Sequence, residues 1–126
     1  MPILGVGVDI IEIARITAII ARVGDRLAKR VLSHTEFSQY QIHFRPDLFL
    51  AKSFAVKEAT VKAFGLGMRD GLAFHQIEIY HDALGKPYVR LLQHAKVIEQ
   101  NFLIKNIHVT LSDERKYAVA MVVMET

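Results

Sequence analysis

The segment that opens at Pro46-Asp47 and runs to about Phe64 constrains this chain more than any other. Apolar residues fall on nearly every side of it when it is wound as a helix: Leu48, Phe49, Leu50, Ala51, Phe54, Ala55, Val56, Ala59, Val61 and Ala63. A helix that is apolar all round must be covered by other elements on several sides. Proline suits its first turn, where the missing N–H has no helical partner anyway. Gly65 suits the position just beyond its end. The 126 residues are therefore read as one domain, residues 1–126, wrapped around one central helix.

The flanking segments supply the wrapping. Residues 3–13 read as a buried strand, with Ile3, Leu4, Val6, Val8, Ile10, Ile11 and Ile13 apolar on both faces. Residues 15–31 read as an amphipathic helix with Ile16, Ile20, Val23, Leu27 and Val31 in one stripe. Gly24 weakens its middle and is a place for it to split. Ser33-His34-Thr35-Glu36 has the spacing of a capping box, which starts a short helix at Ser33. Phe74 to His81 and Lys86 to Leu92 form a hairpin across Asp82–Gly85. Residues 93–102 read as helix. Residues 107–111 and 117–124 form a second hairpin. The order β, α, α, α, β, β, α, β, β segregates strands from helices, so the expected class is α+β with a largely antiparallel sheet.

Composition removes whole classes of function. There is no cysteine, which excludes a disulfide scaffold, thiolate zinc sites and thiol catalysis. Apolar residues make up 52% of the chain, rich for a soluble domain and suggestive of surface buried in an oligomer. No apolar run reaches membrane-spanning length, and Met1-Pro2-Ile3-Leu4 lacks the basic start of a secretory signal. A cytoplasmic location with no membrane partner is expected. Sixteen basic against thirteen acidic residues give a net charge of +3, a mild bias toward acidic partners.

Two carboxylates stand in apolar surroundings. Asp9 interrupts the first strand, where an unpaired charge is costly. It calls for a basic partner, a metal ion or an exposed strand end. Glu58 lies in the central helix, with Ala51, Phe54, Ala55 and Lys62 on its face. It is open to an i,i+4 pair with Lys62 or to a ligand. Two oxygen donors of this kind suit Mg²⁺ better than zinc. The six histidines show no ligand spacing. Gly65-Leu66-Gly67 after Lys62 reads first as a helix cap and turn. As a phosphate loop it would need Lys62, loop N–H groups or a metal, because a helix C-terminus has the wrong dipole for an anion. Gly5-Val6-Gly7 lacks the third glycine of a dinucleotide motif. Arg15, Arg22, Arg26, Lys29 and Arg30 form a basic stripe, either a solvated face or a docking surface. No aromatic residues interleave it, so base stacking on nucleic acid is not suggested.

Four segments together resemble one known family. They are Gly5-Val6-Gly7-Val8-Asp9-Ile10-Ile11-Glu12-Ile13, then Phe54-Ala55-Val56-Lys57-Glu58-Ala59-Thr60-Val61-Lys62-Ala63-Phe64-Gly65, then Gly85-Lys86-Pro87, and last His108–Ser112 followed by Tyr117-Ala118-Val119-Ala120. In this order they resemble the holo-[acyl-carrier-protein] synthases, the small phosphopantetheinyl transferases. The resemblance spans essentially the whole chain. It implies transfer of the 4′-phosphopantetheine arm of coenzyme A to a serine of an apo acyl carrier protein, releasing adenosine 3′,5′-bisphosphate, in support of fatty acid biosynthesis. It implies Mg²⁺ as cofactor, and a homotrimer with active sites between subunits.

On this resemblance Asp9 and Glu58 are the metal ligands, and Glu58, directly or through a water it orients, takes the serine proton. Lys62 contacts the phosphates, while Gly65, Gly67 and Ser112 lie near the nucleotide. Arg15 matches a position that meets the carrier protein. Arg22 and Arg26 are added by helical geometry alone. Two positions depart from the pattern: Ser53, where many relatives carry Arg, and Asp113, where many carry His. They put contacts to the nucleotide 3′-phosphate in doubt. Read without the resemblance, the same residues also suit a non-catalytic basic oligomer that docks acidic proteins or nucleic acid, or an unrelated Mg²⁺-dependent phosphohydrolase.

Overall fold

In a computed structural model that describes residues 2–69 and 71–126, the helix over Pro46–Phe64 (α4) is the axis of the molecule. Strand β1 (Ile3–Glu12) leads into α1 (Ile13–Val23), α2 (Arg26–Val31), α3 (His34–Ile42) and then α4. A single 3₁₀ turn at 74–76 precedes β2 (Ile77–His81) and β3 (Pro87–Leu91); α5 (Gln93–Asn101), β4 (Asn106–Asp113) and β5 (Tyr117–Glu125) follow. Strands β1, β5 and β4 form one antiparallel sheet in that order, and β2 and β3 a separate two-stranded ribbon. The expected α+β class with antiparallel pairing is what forms.

Local chemistry explains the boundaries. Ser33 accepts from the Glu36 N–H while the Glu36 carboxylate accepts from the Ser33 N–H, so the capping box is complete. Gly65 closes α4 in the left-handed region, its N–H reaching the carbonyls of Val61 and Lys62. The expected helix 15–31 is two helices. Gly24 at φ 63° turns the chain between them. Residues 74–76, expected at the start of a strand, are instead the 3₁₀ turn.

Helix α4 lies across the inner face of the three-stranded sheet. Leu50, Ala51, Ala55, Val56 and Ala59 on the helix, and Ala118, Ala120, Val122 and Met124 on β5, are fully buried. Complete burial of a Leu or Val contributes about 1.5–3 kcal/mol, so this layer is the main stabilising contact. Its closeness has a specific cause. A Cβ at Gly5 would stand 1.9 Å from the Ala63 carbonyl oxygen, and one at Gly7 would stand 1.8 Å from that of Ala59. These two glycines let the backbones of β1 and α4 touch, which is the role of the Gly5-Val6-Gly7 motif.

The first strand is not buried on both faces. Its inner residues meet α4, but Val6, Val8 and Ile10 on the other face are 52%, 56% and 59% exposed. They pair in register with Val123, Met121 and Val119 of β5, so the outer face is apolar along β1 and β5, bordered on β4 by His108, Thr110 and Ser112. The double-sided apolar pattern of the sequence reflects one face turned to the core and one that no element among the described residues covers.

Candidate active site

The glycine seam sets Asp9 beside the last turns of α4. Asp9 is on the inner face of β1, two residues beyond Gly7. Lys62 reaches it at 2.9 Å and also donates to the Val8 carbonyl at 3.1 Å. The i,i+4 pair between Glu58 and Lys62 is thus not where Lys62 goes; its ion pair is with Asp9 on the strand. Only Oδ1 of Asp9 is engaged, and Oδ2 is buried without a hydrogen-bond partner. An orphaned carboxylate oxygen at this depth is costly unless a further donor or cation meets it.

Glu58 faces the same place. Burial first, and the Asp9 charge second, raise its carboxyl above the usual range, while Lys62 opposes the shift. Ala51 and Ala55, expected to leave room beside it, are fully buried in the core. The open side of Glu58 is toward Lys62, which is 53% exposed. The result is two carboxylates in partial desolvation with one mobile ammonium between them and water.

The donor set fits a hard divalent cation. Magnesium takes one or two carboxylates and fills its octahedron with water and substrate phosphate. Here one buried oxygen lacks a partner, and a second carboxyl is held high by burial first and by its neighbour's charge second. Both strains are relieved by a cation between them. Among the described residues no group of three or more His, Asp or Glu gathers, so an ion held by Asp9 and Glu58 would take its remaining ligands from water and substrate.

The other expected residues separate into those near this site and those away from it. Gly65 and Gly67 lie just past Lys62 in positive-φ conformations, with open space where a Cβ would be. Ser112 is not with them. It pairs with Val119, which in turn pairs with Ile10, so Ser112 shares the outer face of the sheet, opposite Asp9. Arg15 and Arg22 are exposed on α1. Arg26 is also exposed but belongs to α2, so the helical extrapolation that joined it to Arg22 ends at Gly24. Among the described residues none of these three arginines makes an ion pair. Ser53 is buried, and Asp113 is held by Lys52 at 3.4 Å. A separate cleft of about 450 Å³ between α3, α4 and β2 is lined by His43, Phe44, Lys52, Ser53 and Leu111 among others, without Asp9 or Glu58.

One buried network was not expected. Lys57, next to Glu58, is fully buried and paired with buried Glu36 at 2.6 Å. Ser33 links that pair to Glu78, and Glu78 to Arg90. The signal for it is Lys57 itself, a charged residue among apolar ones in the central helix.

The sequence matches the family model of the 4′-phosphopantetheinyl transferase superfamily over residues 5–122. It is 59% identical to a holo-[acyl-carrier-protein] synthase of Erwinia tasmaniensis, over the full length of both chains. The fold superposes on the crystal structure of such a synthase from Neisseria meningitidis with a TM-score of 0.94 at 35% identity, covering 99% of this chain and 100% of that one. It is also similar to the Helicobacter pylori synthase in complex with coenzyme A, with a TM-score of 0.82 at 29% identity over 95% of this chain and 99% of that one. With its glycine seam, paired carboxylates and full-length match, the chain belongs to the 4′-phosphopantetheinyl transferase superfamily and, within it, to the holo-[acyl-carrier-protein] synthases.

Proposed function

We propose that this chain transfers the 4′-phosphopantetheine arm of coenzyme A to a serine of an apo acyl carrier protein, in a Mg²⁺-dependent reaction that supports fatty acid biosynthesis in the cytoplasm. The observation that carries the reading is the orphaned Oδ2 of Asp9 beside a Glu58 whose carboxyl is held high. Among the described residues no helix is long and apolar enough to cross a membrane, in keeping with a reaction between two soluble substrates.

Asp9 and Glu58 would hold the ion. When bound, Mg²⁺ neutralises charge on the pyrophosphate and polarises the phosphorus under attack. The chain's own groups do the rest. Lys62 swings from Asp9 to the phosphates as a point charge on a flexible stem. The N–H groups of Leu66 and Gly67 lie at the same end of α4 and would approach the phosphates, with open space at Gly65 and Gly67 where a Cβ would be. Glu58, whose carboxyl is raised by burial and by the Asp9 charge, is suited to take the serine proton directly or through water. The serine oxygen forms a bond to the phosphorus of the pantetheine phosphate. The bond from that phosphorus to the bridging oxygen breaks, and adenosine 3′,5′-bisphosphate leaves with the electron pair.

Ser112 and the sheet's outer face fit an assembly. A homotrimer built on the apolar surface of β1 and β5 would cover Val6, Val8 and Ile10. It would also bring the Ser112 face of one copy toward another's site. Arg15, Arg22 and Arg26, exposed on α1 and α2, would meet the acidic carrier.

The test is intact-protein mass spectrometry of an apo acyl carrier protein incubated with this protein, coenzyme A and Mg²⁺. One phosphopantetheine on the carrier serine, lost with EDTA and in Asp9→Ala, is the expected result. No gain across a panel of carriers, with enzyme and coenzyme A intact, overturns it in favour of a non-catalytic binding module.

A further inference from the structure

Helix α4 is held on two opposite sides by different means. The β1 side rests on the glycine seam that carries Asp9, Glu58 and Lys62. On the other side Lys57 points away from Glu58, as consecutive helical residues must, about 100° apart. Its ammonium has three N–H bonds, and all three are used: Glu36 at 2.6 Å, the Phe74 carbonyl at 3.0 Å and the Ile77 carbonyl at 2.5 Å. Glu36 passes the restraint on, accepting from the N–H of Ser33 and of Ile79. Every one of these bonds ends on α3 or on the backbone at 74–79. None reaches β1 or the paired carboxylates.

The chain leaves α4 at Gly65 and comes back at Phe74. Lys57 therefore fixes the return end of the connection whose other end is the helix cap. A second buried group ties the connection further. Gln76, 8% exposed, donates from Nε2 to the Gly71 carbonyl at 3.3 Å, and its Oε1 accepts from the Ala95 N–H at 3.1 Å. Its own carbonyl accepts from Leu92 N–H at 2.7 Å. A fully buried ion pair returns little net stability compared with apolar residues of equal volume, yet it fixes direction strongly.

We infer that Lys57 and Gln76 are positioning residues for the Gly65–Gly67 stretch, setting the affinity of the site for the pyrophosphate end of coenzyme A rather than the rate of transfer. The inference rests on the functional reading above, in which that stretch meets the phosphates. Neither residue touches substrate; both act through the connection they hold.

Two variants test it, with wild-type transfer to an apo carrier as the reference. The double variant Lys57→Met/Glu36→Gln removes both buried charges together, and Gln76→Met removes a neutral amide. Each is characterised by circular dichroism, then by steady-state transfer with coenzyme A varied well below its melting temperature. The expected result is a KM for coenzyme A raised about tenfold, on the scale of small positional errors at a binding site, with kcat and the KM for the carrier within about twofold. A purely structural role lowers the melting temperature and leaves KM alone, which overturns the inference. So does a loss in kcat at unchanged KM. If the double variant does not fold, Gln76→Met decides by the same readout. No transfer by the wild-type chain overturns the functional reading, and this inference with it.

Discussion

Replacing Gly7 by alanine tests the seam on which the whole site rests. The new Cβ would stand 1.8 Å from the Ala59 oxygen, 2.8 Å from its carbonyl carbon and 2.9 Å from the Ala63 nitrogen. Carbon and carbonyl oxygen come no closer than about 3.3 Å, so the two elements must part by roughly 1.5 Å. All three opposing atoms are backbone, and no rotamer change relieves them. Ordinary overpacking costs about 1–3 kcal/mol when side chains can shift. Here an entire helix must lift from its sheet, so the cost is at or above the upper end, about 3 kcal/mol. For a chain of this size that is a fall in Tm of about 10–15 °C. The same displacement moves Asp9 away from Glu58 and the last turns of α4, which the flexible Lys62 can follow but the shorter carboxylates cannot. Transfer activity should fall about a hundredfold, as for a 1 Å misplacement of reacting groups. Thermal unfolding and a transfer assay well below Tm measure the two effects separately. A Gly7→Ala protein that melts within about 2 °C of wild type and transfers normally would refute the seam as the device that positions the site.

Three further expectations follow from particular contacts. In the folded protein Glu58 binds its proton more readily than in the unfolded chain, so its ionisation weighs against the fold as pH rises through its folded pKa. Glu58→Gln should therefore raise the Tm of the metal-free protein at neutral and higher pH, lose that advantage in acid, and abolish transfer; an unchanged Tm across the pH range contradicts this. Asp47 is held at about 2 by the Arg45 guanidinium and a hydrogen bond from Thr17 on α1. Its contribution is full above the ordinary carboxylate pKa and is lost as pH falls toward about 2, so Asp47→Asn should cost about 1 kcal/mol at pH 7, after discount for solvent screening. Urea titrations at pH 7 and in strong acid should show the gap closing. Val8→Asp on the outer face of the sheet should leave the circular dichroism spectrum intact but abolish self-association in sedimentation, and wild-type association of that variant would exclude this face as the subunit contact.

Where structure is local, the residues announce it. Ser33 and Glu36 write out their capping box, Pro46 and Gly65 bracket α4, and Asp82–Gly85 turns a hairpin. Asp9 and Glu58 were conspicuous as charges in apolar segments, and the structure sets them facing one another. What was not legible depends on distant parts of the chain. Gly5 and Gly7 look like any two glycines until a helix lies on them. Lys62 had a partner one turn away in sequence and another across the fold, and the strand won. An apolar strand reads the same whether its second face meets its own core or is left uncovered, so Val6, Val8 and Ile10 read as buried. The face on which Ser112 sits follows only from its register with Val119, which no local pattern encodes. The pairing of Lys57 is hidden from any local pattern because its carboxylate partner, Glu36, lies in another helix.

The pairing of β1 with β5 has a consequence for how the chain is made. Ile3 pairs with Glu125, and the Thr126 N–H reaches the Pro2 carbonyl at 3.0 Å. During synthesis β1 is the first of these strands to emerge, and among the described residues its only sheet partner is the last. Helices α1 to α3 can form as they leave the ribosome, whereas α4 finds one side of its packing on β1 early and the other on β5 only at the end. The strand that carries Asp9 waits through nearly the whole of translation with an unpaired, apolar edge, the kind of segment that chaperones bind and that aggregates when they do not. Premature release anywhere before β5 therefore leaves no partly working enzyme. Catalytic competence and completion of the sheet arrive in the same step, when Tyr117–Glu125 slides between β1 and β4.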